Sequence, residues 1–343
     1  MVVTPDVTVA IGAIGLGRLG RQECRQYTAF DDVTLVGGVD VSADARETFE
    51  DAFDRPAYES VEELLDGHGD ELDAVSICTP HTLHHDHTMA ALEADCHAFV
   101  EKPLTTELST ARELVETAAD RDRVLQVGFQ RHFDPLFAEL RRIVQSGEVG
   151  TPHTVNAYLG QRWITDHEGT WRTTPSLSGG GQLFDSGTHL VDAMLWVLDA
   201  DPTAVTGIVD ERGHDVDVNS ALAATLDADG QRITASVCVS GAGTDIAPDD
   251  GITVWGTEGH VSLSDGDLTV TTPQSTREVS VDGDRDFETL TRRKLRNFVD
   301  AVEGTADSVV TGEYGLAVTA FLESAYEAAQ RGETVHVDDL TDG

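Results

Sequence analysis

Val7-Thr8-Val9-Ala10-Ile11-Gly12-Ala13-Ile14-Gly15-Leu16-Gly17-Arg18-Leu19-Gly20 is the stretch that decides the fold. Its apolar run to Ile14 reads as a buried strand, and Arg18 to Phe30 reads as a helix. G-x-G-x-x-G is a weak signal in a chain with 32 glycines. Between a strand and a helix it gains the context that dinucleotide binding requires. Gly15 would make the tight turn, Gly17 would let a pyrophosphate approach the backbone, and Gly20 would let the helix sit close to the sheet. The helix that opens with Arg18 and Leu19 then points its N-terminus at the anion. Asp40, about twenty residues past Gly20, can accept hydrogen bonds from an adenosine ribose and repels a 2′-phosphate, so NAD is the expected cofactor. Arg46 nearby keeps NADP open.

Outward from this loop, Thr34–Val39, Asp73–Cys78, His97–Val100 and Val124–Gly128 read as further strands. Helices over Ala43–Phe53, after the capping box Ser60-Val61-Glu62-Glu63, and over Glu107–Ala119 separate them. Strand-helix alternation implies parallel strands with right-handed crossovers, hence a doubly wound α/β sheet. The rhythm then changes. Asp134-Pro135 opens a helix, and Thr154–Gln161, Thr203–Glu211, Ser220–Leu226, Arg232–Val239 and Ile252–Trp255 read as strands joined by turns. Helices near Thr188–Leu198, Phe287–Val302 and Tyr314–Gln330 complete the chain. The expected plan is a nucleotide-binding domain over 1–132, followed over 133–343 by an α+β domain with a mostly antiparallel sheet.

Lys and Arg number 23 against 62 Asp and Glu, a formal net charge of -39. Such a surface repels phosphate, which argues against nucleic acid or an anionic membrane as partner. Lys102 and Lys294 are the only lysines. An acidic surface nearly devoid of lysine resembles proteins of salt-loving archaea, where a Debye length of about 3 Å at 1 M makes self-repulsion tolerable. Cys24, Cys78, Cys96 and Cys238 form no C-x-x-C pair and read as reduced, mostly buried thiols. No secretory pattern is visible, and no run reaches the ~18 apolar residues of a membrane span. The chain reads as soluble and cytoplasmic.

Two constellations carry chemistry. Glu101-Lys102-Pro103 ends the strand at Val100. A lysine retained at the carboxyl end of a parallel strand, in a chain that has replaced almost every other, points to chemistry an arginine cannot supply. Arg292-Arg293-Lys294, by contrast, reads as a solvated helical face. The second constellation is Ser178-Gly179-Gly180-Gly181-Gln182-Leu183-Phe184-Asp185-Ser186-Gly187-Thr188-His189-Leu190-Val191-Asp192. If helical from Asp185, it sets Asp185 and His189 one turn apart on one face, with Asp192 on the same side. A partly buried His189 would titrate near neutrality, as a general acid or base should.

These residues resemble the Gfo/Idh/MocA oxidoreductase family nearly end to end. The resemblance rests on Gly15–Gly20, on Thr79-Pro80 with His84, and on Glu101-Lys102-Pro103. It rests further on Gly128-Phe129-Gln130-Arg131-His132-Phe133-Asp134-Pro135 and on the Gly179–Asp192 block. It implies hydride transfer between nicotinamide and a carbon bearing a secondary hydroxyl of a sugar, inositol or polyol. Lys102 would bind the reacting oxygen, His189 would take the hydroxyl proton, and Asp185 would bind substrate and hold the imidazole. The resemblance extends the cofactor site to Thr79, Pro80, His84, Glu101 and Lys102, and the substrate site to Arg131, Trp171 and Arg172. Trp163, Trp171 and Arg172, just before the glycine run, read as candidate lining of a substrate pocket, and Trp171 reads equally as a platform for a sugar ring or as a structural tryptophan. His81, His84, His85 and His87 crowd one stretch without a carboxylate or cysteine to complete a tetrahedral set, so no metal is expected. The resemblance also implies an NAD(P)-binding Rossmann domain followed by an α+β domain with an open-faced, mostly antiparallel sheet, through which family members often assemble as homodimers or homotetramers. Glycosidases that use NAD transiently, and non-catalytic nucleotide-sensing regulators, share the fold and stand as alternatives.

Overall fold

Short apolar runs separated by amphipathic helices become parallel strands, because a helical crossover is what returns the chain to the starting edge. The computed structural model describes residues 8–244 and 250–341. In it the first such runs are β1 (Val9–Ile14), α1 (Arg18–Tyr27), β2 (Val33–Val39), α2 (Ala43–Phe53), β3 (Ala57–Tyr58) and α3 (Val61–His68). β4 (Ala74–Ile77), α4 (His84–Glu93), β5 (His97–Val100), α5 (Leu108–Asp120) and β6 (Leu125–Val127) follow. The strands form one sheet in the order β3-β2-β1-β4-β5-β6, and every pairing is parallel. The order reverses between β1 and β4, the point at which such sheets open a crevice at their carboxyl ends.

The next part of the chain contains α6 (Pro135–Gln145), β7 (Pro152–Gly160), α7 (Trp163–His167), α8 (Pro175–Ser178) and α9 (Thr188–Leu198). Asp134 caps α6 by accepting from the Leu136 N–H, with Pro135 in the first turn. Strands β8 (Asp201–Asp210), β9 (Asn219–Ala228), β10 (Gln231–Ser240), β11 (Asp250–Gly256), β12 (His260–Ser264), β13 (Asp267–Thr271) and β14 (Thr276–Val279) come next, and β15 (Val335–His336) lies near the end. The sheet order is β14-β13-β12-β11-β7-β10-β9-β8-β15. All pairs are antiparallel except β7 with β10. Strand β10 shows why one face stays open: Ile233, Ala235, Val237 and Val239 are buried, while Thr234, Ser236 and Cys238 alternate outward.

The chain divides into two compact units. One holds the described residues up to Thr105, Thr110–Gln130 and Asp286–Gly315; the other holds Thr106–Ser109, Arg131–Arg285 and the described residues from Leu316. The sequence reading assigned everything after residue 132 to the second domain, and Asp286–Gly315 departs from it. Its helix α10 (Phe287–Val302) inserts Leu295, Phe298 and Val299 into a core with Val9, Ile11, Tyr27, Phe30, Val33, Ala74 and Phe99. The Phe99 and Phe298 rings lie 5.7 Å apart. Beyond α10, Val310 O accepts from the Val127 N–H at 2.9 Å, which covers the exposed edge of β6.

Helix α4 and strands β12–β14 were not anticipated. In α4 a histidine, His84, occupies a fully buried position, so the apolar period that would betray the helix is broken. Strands β12–β14 run only four or five residues each, too short for a pattern. Cys24 and Cys96 are buried, Cys78 is half-buried, Cys238 is exposed, and all four are free thiols. Among the described residues no helix is long and apolar enough to cross a membrane.

Because Phe298 is fully buried in the core of the first unit, Phe298→Ala should destabilise that unit by about 3–5 kcal/mol. Chemical denaturation followed by loss of cofactor protection measures it. An unchanged midpoint would show that α10 is dispensable to the nucleotide fold.

Candidate active site

The turn after β1 is built by close approach. Gly15 has φ +93°, and a Cβ there would meet Cys78 O at 2.3 Å. A Cβ on Gly20 would meet Gly15 O at 1.9 Å, whereas one on Gly17 would meet nothing within 4 Å. Two glycines therefore pin the turn and the third faces open space. Gly17 is also the N-cap of α1 and supplies no side chain, so the first amides of a ten-residue helix are left for an anion. This cradle fits a pyrophosphate. Arg18 is exposed and Leu19 half-buried on that first turn.

Asp40, just past β2, accepts from the Leu16 N–H through Oδ2 and from the Ser42 N–H through Oδ1, both at 2.8 Å. It thereby fixes the glycine turn to the end of β2, and each oxygen keeps a lone pair for a ribose hydroxyl. Arg46 donates to Asp40 O at 2.7 Å and lies 3.8 Å from Glu59. The Glu59 carboxylate beside that guanidinium, and the Asp40 carboxylate at the ribose position, work against a 2′-phosphate.

Thr79 and Pro80 follow β4, and Thr79 Cγ2 flanks Gly15, 3.0 Å from where a Cβ would sit. His84 is fully buried, with Nδ1 2.7 Å from Pro103 O and Nε2 3.0 Å from Thr79 O. Burial pushes its pKa down, against the pull of those two carbonyls. Both ring nitrogens face backbone, so His84 joins the loops after β4 and β5 and packs as part of the crevice wall, in keeping with the packing role expected on the cofactor side. His85 contacts Asp86 and Glu113, and His87 contacts Thr79. The described residues contain no cluster able to hold a metal ion.

At the end of β5, Lys102 is half-buried and Glu101 is buried. Glu101 pairs through Oε1 with Lys294 Nζ, while Oε2 lies 3.4 Å from the Lys102 backbone N–H. Lys294 also stands 3.2 Å from Glu23. Read from sequence as a solvated face, Lys294 is 2% exposed; it lies on the side of α10 that packs on the sheet. Burial pushes the Glu23 carboxyl up to about 8, with Lys294 opposing and Glu101 adding to the rise. For Glu101 burial is the largest influence and acts in the same direction, but Lys294, the Glu23 hydrogen bond and Lys102 together outweigh it and hold the carboxyl below the usual range. Burial disfavours the Lys294 ammonium, but the two carboxylates outweigh it and raise its pKa. Glu23, Glu101 and Lys294 thus form one buried triad.

In the second unit, Leu183–Gly187 winds as a π-helical turn that leads into α9, so the regular one-turn offset assumed between Asp185 and His189 does not apply there. Asp185 is buried, and its Oδ2 accepts from Trp163 Nε1 at 2.7 Å and Arg172 Nε at 3.1 Å. His189 is half-buried on the first turn of α9. Asp192 points elsewhere, to His132 Nε2 at 2.7 Å, and His132 stacks 4.3 Å from Trp196. Asp217 holds the glycine run: it accepts from Gly181 N–H at 2.5 Å, Leu183 N–H at 2.9 Å and Tyr326 OH at 2.6 Å. Burial lifts its carboxyl above the ordinary range.

The Arg172 guanidinium lies 4.5 Å from the Trp171 ring, so one face of that indole meets a cation. Arg131, expected at substrate, pairs with Asp250 at 2.5 Å and covers Phe137. The pair links the turn ahead of α6 to the start of β11. A cleft of about 310 Å³ is lined by Gln161, Arg162, Trp163, Asp166, His167 and Ser186, with Gly160 and Thr244. That volume suits a small polar ligand. Trp163 and Ser186 connect this cleft to Asp185; of the lining residues, sequence reasoning had singled out Trp163 alone.

Residues 9–129 match the family described as "Oxidoreductase family, NAD-binding Rossmann fold", and residues 137–262 match its C-terminal domain. The chain is 29% identical over 316 residues to D-xylose 1-dehydrogenase [NADP(+)] of Haloarcula marismortui, covering 87% of this chain and 82% of that protein. It is 29% identical over 341 residues to inositol 2-dehydrogenase 3 of Saccharopolyspora erythraea, covering 96% of each. The crystal structure of an oxidoreductase from Agrobacterium radiobacter in complex with NAD+, L-tartaric acid and magnesium superposes with a TM-score of 0.83 at 20% identity, covering 97% of this chain and 99% of that one.

Gly17→Ala has room for its methyl and should leave the melting temperature within about 2 °C while weakening NADH binding by about tenfold or more. Gly20→Ala should instead lose folded protein, since its methyl meets Gly15 O. Calorimetry with NADH titration separates the two, and equal behaviour would show the cradle is wrongly oriented. A second expectation concerns pH. The native chain keeps a proton on Glu23 that the unfolded chain releases above its ordinary value of 4.5. Stability from this group is therefore full below about 4.5, falls as pH rises toward about 8 and is flat beyond. Glu23→Gln should flatten that slope in denaturation midpoints taken between pH 5 and 8.5; a slope equal to the wild type's would place the proton elsewhere.

Proposed function

This chain belongs to the Gfo/Idh/MocA oxidoreductase family, and from that premise we propose that it oxidises a secondary hydroxyl of a sugar, inositol or related polyol with NAD. It is an NAD(P)-dependent oxidoreductase acting on CH–OH groups. The observation that carries the reading is a lysine at the carboxyl end of β5, on the sheet whose β1–α1 turn stands open at Gly17. The Gly15–Gly20 turn and Asp40 would hold the dinucleotide, with Thr79 and Pro80 beside it. When bound, NAD supplies the hydride acceptor.

The chain's own side chains handle the oxygen and its proton. The Lys102 ammonium binds the reacting oxygen and stabilises negative charge as it develops. His189 takes the hydroxyl proton as general base. Asp185 binds substrate and orients the imidazole, its own position supported by the Trp163 and Arg172 donors. Gln161, Arg162 and His167 offer donors and acceptors suited to a polyhydroxylated ligand. The net charge of -39 and the two-lysine composition support a working environment of molar salt and an origin in a salt-loving archaeon. A cytoplasmic location and a homodimer or homotetramer formed through the open sheet face complete the proposal.

A panel of pentoses, hexoses, inositols and sugar acids with NAD and with NADP in molar salt, read by absorbance of the reduced cofactor, tests the activity. Reduced cofactor should accumulate with at least one polyol. Lys102→Met and His189→Asn should each lower kcat by about 10²–10⁴-fold while NADH still binds. Undiminished kcat in Lys102→Met would refute the assignment of that residue.

A further inference from the structure

Both lysines of the chain adjoin one carboxylate. Glu101 accepts from Lys294 Nζ on one oxygen and lies 3.4 Å from the Lys102 backbone N–H on the other. Room for it is made by Gly128 at the end of β6, where a Cβ would stand 2.7 Å from Glu101 Oε1. Lys294 is held from several sides: Glu23 lies 3.2 Å from its Nζ, the Phe99 ring 5.2 Å away, and its carbonyl accepts from Gln126 Nε2 at 3.0 Å. The three ionisable groups are nearly inaccessible to solvent. Burying them is expensive, and an apolar trio of similar volume would ordinarily serve the fold as well or better. Their retention beside Lys102 calls for another use.

We propose that Lys294 is a positioning residue for Lys102, acting through Glu101. The inference rests on the reading of Lys102 as the group that binds the reacting oxygen. With Nζ of Lys294 on Oε1, the Glu101 carboxylate cannot rotate, and Oε2 stays turned toward the amide of the residue that bears the working ammonium. That carboxylate also places a fixed negative charge beside Lys102. Without Lys294 the buried carboxylate is unpaired; it takes up a proton or swings away, and the amide of Lys102 loses its acceptor. The effect falls on the chemical step, because the glycine turn and Asp40 lie on other strands.

The test uses the full chain in molar salt with Lys294→Met, Glu101→Gln, their double variant and Lys102→Met. Circular dichroism and melting report the fold, NADH fluorescence reports binding, and kcat and KM are taken on the polyol that the wild type turns over fastest. Lys294→Met should melt lower yet keep NADH affinity within about threefold, with kcat down at least tenfold and KM changed less. Glu101→Gln should lose a similar factor, and the double variant should be no slower than the slower single, since both act along one chain of contacts. Losses that multiply in the double, or kcat within twofold of wild type in folded Lys294→Met, overturn the inference. If Lys294→Met does not fold, the double variant, in which neither charge is left unpaired, is read alone: slow turnover with NADH binding kept supports the proposal, and wild-type kcat overturns it. Wild-type turnover in Lys102→Met would instead sink the reading of Lys102 on which this rests, whereas a slow Lys102→Met beside a fast Lys294→Met sinks this inference alone.

Discussion

The first unit depends on how one carboxylate is kept charged inside it. Glu101 has left water at the end of β5, and a bare anion there would not survive. Lys294 supplies the countercharge from α10, a helix that arrives from nearly two hundred residues downstream. Glu23 contributes a third ionisable group from α1, but as a neutral acid at neutral pH, because burial and the Glu101 charge together favour its protonated form. One ammonium then faces one carboxylate and one carboxylic acid, and the interior carries no net charge. The arrangement joins α1, β5 and α10 by polar contacts in the same place where Phe99 and Phe298 join β5 and α10 by apolar ones.

Much of this unit was legible from residue order. The apolar run into Gly15, the need for glycine at Gly15 and Gly20, and Asp40 after the second run are local requirements, so local sequence reveals them. The return of α10 is not local. Its amphipathic pattern announces that one face is buried, yet nothing in the pattern says against which strands. Lys294 was misread for a related reason: in Arg292-Arg293-Lys294 it takes its meaning from its neighbours, and they are basic. The scarcity of lysine that singled out Lys102 applied to Lys294 with equal force. Helix α4 was hidden because a histidine, His84, fills a core position there by bonding two carbonyls.

In the second unit, residue type was readable and partnership was not. Asp185 and His189 stood out in the glycine-rich block, but the donors that hold Asp185 come from Trp163 and Arg172, in the irregular stretch between β7 and α9. Asp192, expected on the same working face, serves His132 in the packing of α6 against α9. The reason is the winding. Asp217 captures the amides of Gly181 and Leu183 from a different strand connection, and the chain enters α9 through a π turn. Gly181 is required because a Cβ there would meet Asp217 O at 1.9 Å. A carboxylate more than thirty residues away thus sets the orientation of Asp185, which no spacing rule within the block could disclose.

Why lysine persists at residue 294 follows from the size and donor count of the alternatives. Arginine is the ordinary cation of this chain, and it carries five donors on a planar fork that a closed site must satisfy. Around Lys294 Nζ stand Glu101, Glu23 and the Phe99 ring. Gly128 is already bare to make space for the Glu101 carboxylate. A compact ammonium with three donors fits that inventory; a guanidinium would leave N–H groups unpaired in a dry interior and press on β6. In the proposed chemistry the same contrast would apply at residue 102, where a point charge on a flexible stem would follow an oxygen that changes character during reaction. Replacement of lysine across the acidic surface, where either cation serves, therefore stops at the two positions where the shape of the cation matters.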